Sequence, residues 1–271
     1  MNERVDELNG SESREVAVTR LVELQGGRLF SLGLRFCGSR EEAEDLVQET
    51  FLQAYEHWSQ FEGRSSATTW LYTIAARVCQ RFHRRKVGEP DQLESLEELL
   101  PLGEPSMGVV PAECDSPLGE GIRAEGRAQI EEAIAALPLE FRMPLVLKEI
   151  VGLSLAEIAG IMDMKEATVK TRLHRARLRI RKALDSALPS REVPPPIYSK
   201  QICLDLLQAK QECLDRGVDF EFPDNIVCER CSELFSTMDF AQSICTDIAQ
   251  GAMPGELRRQ LMEKMGLEDS Q

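Results

Sequence analysis

The sequence predicts an all-α protein with two helical modules, a flexible linker between them and a small helical C-terminal domain. Apolar residues recur at steps of three and four along most of the chain, as on amphipathic helices. Alternating β-branched runs bounded by turn residues, which would indicate strands, are almost absent. Two stretches rich in acids or prolines interrupt the helical pattern and divide the chain.

The composition limits the class of protein. The 271 residues carry 32 lysines and arginines against 46 aspartates and glutamates, which gives a net charge of −14. No apolar run approaches the roughly 18 residues that a membrane-spanning helix needs, and the N-terminal residues lack the pattern of a signal peptide. We therefore expect a cytoplasmic protein whose eight cysteines are thiols or metal ligands.

The first module, residues 18–87, follows a flexible N-terminus of residues 1–17. Ser39 and Glu42 have the spacing of a capping box, which predicts the start of a long amphipathic helix. The apolar stripe of that helix consists of Ala43, Leu46, Val47, Thr50, Phe51, Ala54 and Trp58. A polar loop over 61–70 and a basic helix end after it complete the module.

Two interruptions separate the modules. Between Gly88 and Arg127 there are ten acids, two bases, five prolines and six glycines, so residues 88–126 are expected to form a flexible acidic linker. Residues 189–196 contain three consecutive prolines, which exclude a helix there. The C-terminal domain is then residues 197–271.

The middle module, residues 127–188, has the pattern of two short helices joined by a tight turn. A second capping-box spacing, Ser154 to Glu157, opens a helix that stops at 163–165, and another helix starts near Glu166. The apolar positions of the second helix are Val169, Leu173, Ala176, Ile180 and Ala183. Their regular steps predict a single buried stripe.

The rest of this second helix is strongly basic. Eight basic residues and one acid lie between Lys165 and Lys182, in a chain of net negative charge. This pattern predicts a helix-turn-helix whose second helix enters the major groove of DNA. Residues near its start would contact base edges, and the later arginines would contact phosphates. An ordinary solvated basic face is the alternative, and the charge density argues against it.

Both modules resemble one known family. The runs Ala43–Phe51 and Thr69–Ala75 resemble region 2 of the extracytoplasmic-function group of bacterial sigma factors. Region 4 of that group is similar to Leu137–Pro138, Gly152–Ser154, Glu157–Ala159 and Thr168–Arg177. The resemblance implies a subunit of RNA polymerase, in which region 2 melts and reads the −10 promoter element and region 4 reads the −35 element.

The resemblance also implies roles for individual residues. It assigns the −35 contacts to Thr168, Lys170, Thr171, Arg172, His174, Arg175 and Arg177. It assigns the −10 contacts to Ser65, Ser66, Thr68, Thr69, Trp70, Arg77, Arg81, Arg84 and Arg85. Trp70 and Tyr72 could instead be core residues. It implies that core polymerase binds the acidic helix face at Asp45, Gln48 and Glu49, although a merely soluble face would have the same composition.

The C-terminal domain contains five of the eight cysteines, and residues 191–271 carry fifteen acids against eight bases, so this part of the chain should not favour DNA. It is similar to zinc-binding anti-sigma domains, with Asp224 where those have histidine. The resemblance implies a Zn²⁺ site with Cys203, Cys228 and Cys231 as ligands and Cys213 or Asp224 as the fourth. Ordinary buried thiols and a Cys-x-x-Cys redox switch remain open as alternatives.

The sequence thus predicts a non-enzymatic sigma factor that binds core RNA polymerase and promoter DNA and is regulated by its own anti-sigma-like tail. The first competing hypothesis is a free-standing helix-turn-helix regulator with a sensing tail. The second is a thiol–disulfide enzyme, which would need a βαβ setting that this helical sequence does not supply.

Overall fold

The computed structural model describes residues 12–37, 39–83, 93–111, 117–220, 226–249 and 251–267. The all-α prediction is confirmed, because these ranges form eleven α-helices and one two-stranded sheet. The helices are α1 (Arg14–Cys37), α2 (Arg40–His57), α3 (Ala67–His83), α4 (Leu96–Leu99), α5 (Pro117–Ala136), α6 (Leu139–Val146), α7 (Leu155–Met162), α8 (Glu166–Ala183), α9 (Lys200–Arg216), α10 (Glu229–Ile248) and α11 (Gly255–Lys264). In the described part of the chain, no helix has the length and apolar character needed to cross a bilayer.

The chain forms two compact units that do not follow the three predicted modules. The first unit comprises Met1–Glu89, Val146–Glu166 and Ile248–Gln271, and the second comprises Pro90–Leu145 and Ala167–Asp247. Each unit is therefore assembled from separate stretches of sequence. The last helix of the C-terminal domain belongs to the same unit as the first module.

In the first unit, α1, α2 and α3 pack around a shared apolar core. As predicted, α2 begins after Ser39, whose Oγ accepts a hydrogen bond from the Glu42 amide over 3.2 Å. Gly33 of α1 lies so close to α2 that a Cβ there would be 3.2 Å from the Ala43 backbone. The absence of a side chain at Gly33 thus permits the close approach of the two helices.

The second unit contains α4, α5, α6, α8, α9, α10 and the sheet. Strand β1 (Ser106–Gly108) pairs antiparallel with β2 (Ser190–Glu192), with Met107 opposite Arg191. The prediction of a flexible linker over residues 88–126 is wrong in part, because α4, β1 and the start of α5 lie within it. Leu99, Leu100 and Met107 are buried in the core of this unit, and this burial offsets the cost of ordering the segment.

The two helices of the predicted helix-turn-helix have the expected boundaries. Ser154 and Glu157 form a complete capping box: the Ser154 amide donates to Glu157 Oε2 over 2.8 Å, and the Glu157 amide donates to Ser154 Oγ over 3.3 Å. Asp163 ends α7 in the left-handed conformation, with φ 50°. The next helix, α8, begins at Glu166.

Replacing Ser154 with alanine should loosen the start of α7. The substitution removes the oxygen that accepts the Glu157 amide, and loss of such a cap costs about 1 kcal/mol. We therefore expect the amides of α7 to exchange with deuterium about fivefold faster. The control is Ser232→Ala, an exposed serine in the first turn of α10, for which exchange should not change. Equal protection of α7 in the Ser154→Ala variant and the parent chain would contradict the capping role.

Candidate nucleic-acid interface

The basic helix α8 buries the predicted apolar stripe. Val169, Leu173, Ala176 and Ile180 are all at most 2% exposed, which confirms the periodicity on which the helix-turn-helix prediction depends. The fifth predicted position, Ala183, is the last residue of α8 and is half-buried. The polar side chains of α8 fall into two groups. Those near its start are exposed or half-buried, and most of those further along are held by acidic or carbonyl partners.

The start of α8 carries open polar side chains. Thr168 and Thr171 are exposed and Lys170 is half-buried. Thr171 Oγ1 donates to the Ala167 carbonyl over 3.0 Å, and within the described ranges no hydrogen bond or ion pair engages the Lys170 ammonium. Hydroxyl and ammonium groups at the N-terminal end of such a helix are suited to the edges of base pairs.

Further along α8, Asp215 in the last turn of α9 binds two basic side chains. Arg177 Nη1 donates to Asp215 Oδ1 over 2.6 Å, and His174 Nε2 lies 3.1 Å from Asp215 Oδ2. The side chains of Arg177 and Asp215 are only 5% and 3% exposed. Burial acts to raise the pKa of Asp215, but the contacts with His174 and Arg177 outweigh it and lower the pKa below its ordinary value. The carboxylate is therefore charged at neutral pH.

Glu94 and the backbone of Leu93 bind further basic side chains of α8. Arg179 Nε lies 2.8 Å from Glu94 Oε2, and Lys182 Nζ lies 3.2 Å from Glu94 Oε1. Arg175 donates to the backbone carbonyls of Leu93 and Glu94, over 3.2 and 2.7 Å. The side chains expected to contact phosphates thus have partners within the second unit.

Sequence reasoning missed Glu94 and Asp215 as partners of the basic helix. A signal was present, because both lie in stretches with an excess of acids on either side of the most basic segment of the chain. Acidic and basic segments of one chain attract each other, so the two acidic stretches are expected to associate with the basic segment between them. Arg172, which was expected to contact DNA, similarly pairs with Glu140 over 2.6 Å.

The polar loop before α3 is built on a cluster of aromatic rings. Trp58 contacts Phe61 and Trp70, with ring centroids 5.0 and 5.6 Å apart. Trp58 and Phe61 are buried, whereas Trp70 is half-buried and keeps part of its ring accessible. Tyr72 is fully buried and donates to Gln25 Oε1 over 3.3 Å, so it is a core residue.

The hydroxyl groups of this loop are tied together and to α7. Ser66 Oγ lies 2.9 Å from Thr69 Oγ1, which donates to Glu157 Oε1 over 2.6 Å. Burial acts to raise the pKa of Glu157, but hydrogen bonds from Ser154 and Thr69 outweigh it and the pKa is lowered. The capping-box carboxylate of α7 therefore also holds Thr69.

The remaining loop and helix residues differ in their accessibility. Ser65 and Arg77 are exposed, as a DNA contact requires. Arg81 is exposed and pairs with Glu49 over 3.1 Å. Thr68 is 6% exposed, so little of its surface is accessible in this conformation, and its base contact stays a prediction. Arg84 and Arg85 lie outside the described residues.

Comparison with known proteins identifies both modules. The family models "Sigma-70 region 2" and "Sigma-70, region 4" match residues 21–88 and 127–180. The ECF RNA polymerase sigma factor SigW of Bacillus subtilis is 33% identical over 168 residues, which cover 62% of this chain and 89% of that protein. The RNA polymerase sigma-H factor of Pseudomonas aeruginosa is 32% identical over 161 residues, which cover 59% and 82%.

The chain belongs to the extracytoplasmic-function group of sigma-70-family sigma factors. A solved structure described as CnrH in complex with the cytosolic domain of CnrY has a TM-score of 0.47 and 20% identity, and the match covers 67% of this chain and 98% of that one. In the sigma factor described here, region 2 contains α1 to α3, and region 4 extends from α5 into α8.

The C-terminal extension of this sigma factor contacts the helix of region 2 that carries the predicted polymerase-binding residues. Lys264 of α11 donates to Gln48 Oε1, and Gln48 Nε2 lies 3.5 Å from Gln260 Oε1. Asp45 is exposed, whereas Glu49 accepts from Arg81 and Gln53. The acidic face of α2 is therefore partly covered in this conformation.

The structure brings three of the predicted metal ligands together. The Cys231 side chain interacts with those of Cys228 and Cys203, and all three residues are buried. Burial acts to raise the pKa of Cys228, but hydrogen bonds from the Cys231 and Ile197 amides outweigh it and lower the pKa. Burial and the neighbouring Cys228 and Cys203 sulfurs raise the pKa of Cys231.

The fourth metal ligand is not provided by Cys213. Cys203 and Cys213 lie on the continuous helix α9, about 15 Å apart along its axis. Cys213 as a ligand beside Cys203 is therefore wrong, and Asp224 lies outside the described residues. In the ranges that the structure describes, no group of three or more histidines, cysteines or acids is arranged to hold a metal ion. Zn²⁺ binding by Cys203, Cys228 and Cys231 therefore stays a prediction.

Proposed function

We propose that this protein is a promoter-specificity subunit of RNA polymerase whose C-terminal extension restrains it. In this function the two sigma regions direct core polymerase to promoters in the cytoplasm and help to melt the DNA, without catalysis of their own. Region 2 acts at the −10 element and region 4 at the −35 element. The relatives named as RNA polymerase sigma factors support the function, and the extension is what distinguishes this chain from them.

The observation that carries the proposal is the accessible start of α8. Thr168, Lys170 and Thr171 are the residues that a recognition helix presents to the major groove. Thr168 and Thr171 are exposed, and Lys170 is half-buried. In region 2, the half-buried Trp70 together with the exposed Ser65 and Arg77 offers an aromatic ring, a hydroxyl and a cation. Such groups suit an unstacked base and its phosphate.

Restraint by the extension is supported by contacts in each unit. In the second unit, Asp215 of α9 occupies Arg177 and His174 of the recognition helix. In the first unit, α11 binds Gln48, a residue expected to face core polymerase. An active sigma factor needs these surfaces for DNA and polymerase, so the contacts favour a closed form that must open before initiation.

Run-off transcription tests the proposed function. The full chain is mixed with purified core polymerase and a template library that has randomised −10 and −35 elements at fixed spacing. We expect transcripts from a defined subset of templates, and from those only when chain and core are both present. The strongly negative net charge predicts weak binding of duplex DNA by the chain alone.

Two results would contradict this expectation. If the isolated chain bound one duplex sequence tightly and did not associate with core polymerase, it would be a free-standing regulator. If the chain associated with core but every template were transcribed equally, promoter selection would be excluded.

A further inference from the structure

Two adjacent glycines lie inside the first helix of region 2. Gly26 and Gly27 are in the middle of α1, which is continuous from Arg14 to Cys37. Apart from proline, glycine is the residue that least favours a helix interior, because it loses the most backbone freedom on folding. Neither glycine has a positive φ, so the backbone conformation does not require them. The pair therefore needs a packing reason.

The C-terminal extension occupies the space that these glycines leave. A Cβ atom at Gly26 would lie 2.7 Å from Cε of Met253. A Cβ atom at Gly27 would overlap the backbone carbonyl oxygen of Gly251. The fit is reciprocal, since a Cβ atom at Gly251 would overlap Oγ of Ser31, which lies one turn beyond Gly27 on α1. Side chains are thus excluded on both sides of the contact.

After this contact, α11 packs against α2. Leu257, Leu261 and Met262 of α11, and Met265 directly after it, are each at most 5% exposed. Their spacing places them on one side of the helix. At the edge of this side, polar side chains of α11 contact Gln48 of α2. The extension therefore makes an apolar contact with region 2 that reaches a predicted polymerase-binding residue.

We infer that α1 and α2 together form a docking site for residues 251–265 of the same chain, and that this segment leaves the site when core polymerase binds region 2. The inference rests on the proposed restraint by the extension, and it identifies the segment that covers region 2. The glycine contact makes the site selective, because an occupant needs a residue without a side chain opposite Ser31.

The size and chemistry of the contact make it reversible. Helix α11 has ten residues, fewer than the roughly 12 that an isolated helix needs to be stable in water, so its structure depends on docking. Arg258 of α11 lies 3.6 Å from Glu23 of α1, and both side chains are at least 30% exposed, so this ion pair contributes little. A polymerase surface that competes for Gln48 can therefore displace the segment.

Hydrogen–deuterium exchange of the full chain tests the docking site. In the Gly251→Ala variant the new methyl group overlaps Ser31 Oγ, and we expect the amides of residues 257–265 to exchange about 10-fold faster. Adding Ser31→Ala removes that oxygen and leaves only Cβ of residue 31, 3.6 Å away, which is an ordinary contact distance. The double variant should therefore exchange like the parent chain, whereas general destabilisation of the extension would not be reversed by a change on α1.

Gly27→Ala applies the same test from the side of α1. The substitution favours the helical conformation of α1, yet residues 257–265 should again exchange about 10-fold faster. The matched control is Gly121→Ala, because Gly121 lies within α5 and has open space around its Cβ position, so exchange of 257–265 should not change. Unchanged exchange in the Gly251→Ala and Gly27→Ala variants, or no rescue by Ser31→Ala, would overturn the docking site.

Core polymerase separates the docking site from the proposed function. When core is added to the parent chain, residues 257–265 should exchange about 10-fold faster, and equal or slower exchange would overturn displacement by polymerase. Higher run-off transcription by Gly251→Ala than by the double variant supports both the docking site and the restraint. Equal transcription by the two, with rescue seen in exchange, supports the docking site and overturns its link to the restraint. Failure of the parent chain to select promoters would overturn the proposed function and leave the exchange results unaffected.

Discussion

Replacing Asp215 with asparagine is expected to raise promoter-dependent run-off transcription by about 10-fold or more at limiting sigma factor. The substitution keeps the shape of the side chain but leaves Arg177 and His174 without their shared carboxylate. Removal of one partner from a buried ion pair costs about 3–5 kcal/mol. A loss of 3 kcal/mol changes the equilibrium for docking of α9 on α8 about 150-fold. Part of that change should appear as a larger fraction of molecules in which α8 is free to bind DNA.

The measurement compares the variant, the parent chain and a matched control on one template selected from the promoter library. Asp205→Asn is the control, because Asp205 lies on the same helix but is exposed and bonds only to Gln201 among the described residues. Unchanged transcription by an Asp215→Asn protein with normal helicity would exclude the restraint.

Replacing Lys170 with alanine is expected to abolish most of the discrimination between intact and scrambled −35 elements. Lys170 is the basic residue at the start of α8, where the proposed function places the base contacts, and none of the described residues pairs with it. A good contact to a base contributes about 1–3 kcal/mol of discrimination. We therefore expect the ratio of transcripts from the two templates to fall about 10- to 100-fold.

This experiment is best done in the Asp215→Asn background, where docking of α9 does not limit access to α8. The control is Lys200→Ala, which removes the same charge from an exposed side chain at the start of α9. It should leave the ratio unchanged, since exposed ion pairs contribute little. If Lys170→Ala lowered transcription equally on both templates, Lys170 would contact phosphate rather than bases.

Local signals in the sequence predicted the parts of this structure that depend on nearby residues. The capping box at Ser154 and Glu157 defined the start of α7, and the steps from Val169 to Ile180 defined the buried face of α8. These features follow from hydrogen bonds and packing within a few turns of helix. The family motifs had the same local character, and the comparisons confirmed them.

Contacts between distant segments could not be predicted in this way. Arg177 and Arg181 were expected to face solvent or DNA, yet both are buried. Arg177 is held by Asp215, which lies 38 residues away in sequence. The prediction that the acid-rich linker is flexible depended on its average composition, whereas the burial of a few leucines and Met107 stabilises its folded structure. Neither periodicity nor composition indicates which remote carboxylate a buried cation will meet.

The pairing of Glu94 with Arg179 and Lys182 has a consequence for the response to ionic strength. DNA binding by a bare basic helix weakens steeply as salt rises, because each neutralised phosphate releases a counterion. Here the cations are already neutralised by carboxylates of the same chain. Salt weakens these internal pairs as well as the phosphate contacts that replace them, so the two effects oppose each other. DNA binding by the full chain should thus depend less steeply on ionic strength than binding by an isolated recognition helix would.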